Sequence, residues 1–146
     1  MKRVALGFTL IGALLVGALP LMAHHSFAAE FDAAKPVTLT GTVTKIDWTN
    51  PHVWIYFDAK KADGTVEAWA CEAGSPNTLF RRGFTKKSVL PGAEILVDGY
   101  RAKDASKRAS CRELTFADGR KMFLGSSGTG APYELTPDKD RVPSAR

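Results

Sequence analysis

Residues 36–48, PVTLTGTVTKIDW, alternate apolar and polar side chains almost without exception. No other feature restricts the fold so tightly. A period of two is the signature of a strand with one buried face, and it cannot be laid on a helix. Val37, Leu39 and Val43 fall on one face, and Thr38, Thr40, Thr42 and Thr44 on the other. Gly41 interrupts the apolar row, where a bulge or a sharp bend is the usual physical reason. Strict alternation then puts Ile46 and Trp48 on the threonine face. A long first strand bent at a glycine can serve both sides of a small barrel.

The same pattern recurs downstream. After the Asn50-Pro51 turn, residues 52–59 alternate Val53, Ile55 and Phe57 against Trp54 and Tyr56. Asp63-Gly64 signals a hairpin. Residues 65–72 form a third strand, with Trp69 and Cys71 on one face and Val66, Ala68 and Ala70 on the other. Ser75-Pro76 then reads as a helix start, a side-chain cap followed by a proline whose missing N–H costs nothing there. Leu79 and Phe80 give this short helix an apolar side, and Gly83 suits its end. Strands follow at 94–102 and 109–116, with Asp118-Gly119 turning into a short sixth at 120–124. Three strands, one short helix and two further strands match the five-stranded OB barrel, which has its helix between strands three and four. The expectation is therefore a mostly β domain over residues 35–125, a small five- to six-stranded OB-like barrel. An open sandwich of similar strand count is the alternative. Residues 24–34 read as an N-terminal arm, in which Phe27 and Phe31, four apart, are one helical turn, two anchors laid on the barrel, or part of a frayed start. Residues 126–146, rich in Ser, Gly, Pro and charge, read as a disordered tail.

The first 23 residues have the layout of a secretory signal: Lys2 and Arg3, an uncharged apolar run over 4–19, Pro20, and the small residue Ala23. The run falls short of the roughly 20 residues that span a bilayer. The expectation is export, to the periplasm or beyond, with no membrane anchor after cleavage. Losing Lys2 and Arg3 removes two charges from the formal +5, so the remaining positive charge reads as a solvated surface rather than a nucleic-acid site. Cys71 and Cys111 are the two cysteines. An even count in an exported chain favours a disulfide, and two buried thiols are the competing reading.

Three histidines are present, His24, His25 and His52. Cleavage after Ala23 would make His24 the amino terminus, where its amine and imidazole can chelate together. His52 would add a third nitrogen, completing a set that suits copper(II). A solvated chain start and a turn hydrogen bond account for the same residues more simply. Trp48, Trp54, Tyr56 and Trp69 offer either a stacking platform for a ligand or the cross-strand packing that holds a sheet together. Arg81, Arg82, Lys86 and Lys87, with Arg101 and Lys103, read as an anion patch or a solvated face. No nucleophile motif, paired carboxylates or haem motif is apparent, so the chain reads as non-catalytic and requires no cofactor, copper being the exception to test.

The segments AHHSFAAEFD, TLTGTV, WTNPHVWI, GSPNTLFRRGF, LPGAEILVDGY and DGRKMFLG resemble a family of small exported bacterial proteins, domain-of-unknown-function family 6152. The likeness runs from Ala23 to about Gly125. It implies export and a small β domain, and it implies no activity. The cysteine pair is not typical of the family, which suits a stapling role. The reading is a binding or accessory module that presents Asn50, His52, Trp54 and Trp69 to a small ligand or another exported protein. The alternative is a copper protein using His24 and His52.

Overall fold

The computed structural model describes residues 26–135; the expected signal segment, His24, His25 and residues 136–146 lie outside them. A single helical turn, α1 (Phe27–Glu30), leads directly into β1 (Phe31–Trp48). β2 (Val53–Lys60), β3 (Val66–Glu72), α2 (Pro76–Arg81), β4 (Glu94–Ala102), β5 (Arg108–Phe116), β6 (Lys121–Phe123) and α3 (Pro132–Leu135) follow. The strands form one mostly antiparallel sheet in the order β3-β2-β1-β4-β5-β6. β3 also pairs with β5 in parallel, through Ala70↔Arg108, Cys71↔Ala109 and Glu72↔Ser110. That contact closes a ring of hydrogen bonds through β1, β2, β3, β5 and β4. No helix among the described residues is long and apolar enough to cross a membrane.

Alternation positions the core as expected on β2 and β3: Val53, Ile55, Phe57, Trp69 and Cys71 are all buried. β1 departs from strict alternation. Val43 pairs with Phe57 and Lys45 with Tyr56, leaving Thr44 without a partner as a bulge. The extra residue reverses the phase, so Ile46 and Trp48 return to the core side instead of the threonine side, and Trp48 stacks on Phe84 at 6.1 Å. Gly41 is not the bulge. It is required because a Cβ there would run into the backbone carbonyl of Asp58 on β2.

The hairpin and helix signals hold. Gly64 adopts φ +83° after Asp63, Ser75 Oγ accepts from the Thr78 N–H at 3.3 Å, and Gly83 ends α2 at φ +84°. The apolar side of α2 is narrower than its sequence suggests: Leu79 is fully buried, whereas Phe80 is 68% exposed. Cys71 and Cys111 are bonded, with Cα atoms 5.5 Å apart. The bridge spans β3 and β5, the pair that closes the ring.

The domain does not stop at residue 125. Ser126, Thr129, Ala131 and Tyr133 are buried, so at least residues 126–135 are packed chain rather than a disordered tail. The arm likewise belongs to the fold. Phe27 donates its N–H to the Thr129 carbonyl, and β1 begins at Phe31 rather than at 36. Together the two ends build a second cluster from Phe27, Phe31, Ala102, Ala131 and Tyr133, with Tyr100 and Phe123 against it.

Candidate functional site

β2 begins immediately after the exposed Asn50-Pro51 turn, whose peptide bond is cis. Because side chains alternate across a strand, His52 and Trp54 share the outer face. Trp54 stands opposite Glu72 of β3 and Asp47 of β1. His52 Nε2 lies 3.4 Å from Glu72 Oε1, an ion pair whenever the ring is protonated, and both side chains are mostly buried. His52 Nδ1 is 3.1 Å from the Ala73 carbonyl oxygen. A carbonyl can only accept, so this contact is a hydrogen bond in the tautomer that carries its proton on Nδ1. Ser126 Oγ completes the cluster, 3.3 Å from Nδ1 and 3.4 Å from the same carbonyl.

Serine, histidine and glutamate are the residue types of a nucleophilic relay, and here Ser126 Oγ lies against both His52 Nδ1 and the Ala73 carbonyl oxygen. Which ring nitrogen carries the proton decides whether Nδ1 faces the carbonyl as a donor or the serine as an acceptor. Ser126 is only 9% exposed. The arrangement acts as a clamp that ties the start of β2 to the end of β3 and to the C-terminal segment. The same segment is held again by Arg82, which donates to the Gly125 carbonyl at 2.6 Å and to Ser127 Oγ at 3.0 Å.

The four residues expected to form one ligand face do not assemble. Asn50 is exposed at the turn, His52 is mostly buried against Glu72 and Ala73, and Trp54 is half-buried. Trp69 pairs with Phe57 and points inward, 5% exposed. Its Nε1 donates to Glu67 at 3.2 Å, and Arg101 and Lys107 sit 5.7 and 5.6 Å from its ring. The aromatic group is split in the same way, with Trp48 packed against the core and Trp54 and Tyr56 on the outside. Of the metal set, His24 lies outside the described residues. A metal at His52 would have to compete with Glu72 and Ala73 for its nitrogens.

The cations separate too. Arg82 is committed to the C-terminal segment and Arg101 to Trp69 and the Ala105 carbonyl, while Lys103 reaches the Ala28 carbonyl. Arg81, Lys86 and Lys87 remain exposed and enter no ion pair among the described residues. Ser126 is the site residue that sequence reasoning missed. It lies 74 positions from His52, inside a stretch whose composition resembles a tail, and no local signal links the two.

A family model matches residues 13–111, that of the family of unknown function DUF6152. The chain belongs to this family. No curated protein and no solved structure matches. The matched stretch contains Asn50, His52, Trp54, Glu72 and both cysteines. It ends at Cys111, short of the DGRKMFLG segment and of Ser126. The β2–β3 half of the clamp therefore lies within the family match, and the strand of chain it holds lies beyond it.

Proposed function

We propose that the protein is an exported, non-catalytic binding or accessory module, its ring a small OB-like barrel. The observation that carries this reading is the strand pairing. A ring that runs β1-β2-β3-β5-β4, closed by a parallel β3–β5 contact and with α2 between β3 and β4, has the connectivity expected of that barrel. Barrels of this kind hold ligands on the face of strands two and three and at the loop after strand one. Here that region carries the exposed Asn50, the half-buried Trp54 and a His52 already fixed in place. A prearranged polar and aromatic surface binds without the cost of ordering its own side chains. The ligand is a small molecule or another exported protein.

Trp54 supplies the test, because Trp48 and Trp69 face the core. Titration with oligosaccharides and with fractions of periplasmic extract should change the indole fluorescence saturably. Trp54→Phe should remove the signal, and Asn50→Ala should weaken binding about tenfold or more, the loss of one or two well-placed contacts. Binding that ignores both substitutions would place the ligand elsewhere and sink the proposal.

A second reading, copper(II) held by the His24 amine and imidazole with His52, draws on one contact. Phe27 is anchored to Thr129, three residues from the Ser126 that touches His52. Native mass spectrometry of the exported protein with one equivalent of copper(II) decides it. One copper on a chain that starts at His24, lost in His52→Ala, supports it; retention in His52→Ala rejects it.

A further inference from the structure

Between Glu72 and Glu94 the chain carries no acidic residue, yet it includes Arg81, Arg82, Lys86 and Lys87. This stretch, residues 73–93, forms a cap over the ring. Leu79, Phe84 and Val89 point from it into the core and are at most 2% exposed. The residues that follow two of these anchors in the chain are also large and apolar, but they face water: Phe80 is 68% exposed and Leu90 58%. Burying them inward would have been the cheaper arrangement, since each large apolar side chain removed from water contributes roughly 1.5–3 kcal/mol.

The cations on the same cap are unspent. The Ser88 N–H bonds back to the Thr85 carbonyl, which makes residues 85–88 a turn with Lys86 and Lys87 at its two outward corners. Lys86, Lys87 and Arg81 are exposed and pair with no carboxylate among the described residues. Two exposed apolar side chains and three cations that pair with no carboxylate among the described residues, all between positions 80 and 90 of a stretch without an acid, are complementary to one kind of partner: an apolar layer under a sheet of negative charge.

We propose that this cap docks the protein on an anionic lipid surface. Phe80 and Leu90 enter the boundary between headgroups and acyl chains, while Arg81, Lys86 and Lys87 meet the lipid phosphates. The contact is peripheral and reversible, and it uses none of the residues of the β1–β2 face. Its failure would therefore leave the ligand proposal standing, and the reverse also holds.

The experiment is sedimentation of the host-processed protein with vesicles of phosphatidylcholine containing phosphatidylglycerol, beside vesicles of phosphatidylcholine alone. The protein should pellet with the anionic vesicles only, and high salt should release it. Lys86→Glu with Lys87→Glu should weaken partitioning by about tenfold or more, and so should Phe80→Ser with Leu90→Ser. All four positions are exposed, and an unchanged circular dichroism spectrum would show that each variant still folds. No pelleting, equal pelleting with neutral vesicles, or pelleting that the variants do not reduce would each overturn the proposal. So would a cap that binds an exported protein through Phe80 and Leu90 while the vesicles stay bare.

Discussion

Glu67 sits between two lysines: Lys61 Nζ is 2.6 Å and Lys107 Nζ 2.8 Å from its Oε1. The bonds from Lys107 and Lys61, with a smaller one from Trp69, hold its carboxyl down to about 2, from the ordinary 4.5. Asp104 is held at about 2 by Ser106 and Arg108. A carboxylate whose folded value is depressed adds stability that is fully present above its unfolded value and is lost as pH falls toward the folded one. The melting temperature should therefore be flat near neutrality and fall between about pH 4.5 and 2. Glu67→Gln should make that fall shallower while costing little at neutral pH, where exposed pairs contribute little; melting curves across this range check it. A wild-type slope retained in Glu67→Gln would mean other groups carry the acid sensitivity. At this scale the turn glycines were legible, because a positive φ is a demand the residue meets alone. The facing of Trp69 was half legible: its partners on its own strand are set by alternation, but whether that face is the inside depends on its register with Phe57.

The ring closes through only three residue pairs between β3 and β5, and the Cys71–Cys111 bond lies across that seam. A cross-link closing a loop of about 40 residues restricts the unfolded chain by roughly 4 kcal/mol in the entropy model. Cys71→Ala with Cys111→Ala should lower the unfolding free energy by about 2–5 kcal/mol in denaturant titrations. Amide exchange should rise first along β3 and β5, the strands the bridge joins. Uniform loss of protection would show that the seam is no weaker than the rest of the ring. Element existence was readable because alternation and turn signals are local. The Thr44 bulge was not, since an unpaired residue is defined only against a partner strand. Gly41 drew attention to the right strand for the wrong reason: it marks where β2 comes close, and the reversal of phase comes three residues later.

The described residues form two core clusters, and the segments that flank the strands on either side build the smaller one. Tyr133 stacks edge-on to Phe123 at 5.4 Å and lies 6.3 Å from Tyr100, which in turn meets Phe27. Gly125 permits this, because a Cβ there would strike both the Tyr133 and Phe123 rings. Composition hid the arrangement. The glycines at 128 and 130 take φ +75° and +74°, so they serve turns that bring Tyr133 back onto the sheet, and a glycine-rich stretch is ambiguous between turn and disorder without its contacts. The His52 clamp and the aromatic cluster hold the same segment from two sides. If both matter, Tyr133→Ala should cost about 3 kcal/mol, in the range for truncating a buried aromatic ring, and Ser126→Ala about 1 kcal/mol for a lost hydrogen bond. The pair should be non-additive, because once the segment has detached the second loss has nothing left to release. A double-mutant cycle in denaturant reads this coupling. Strict additivity would mean that the cluster and the clamp act independently, and that the C-terminal segment is two attachments rather than one strap.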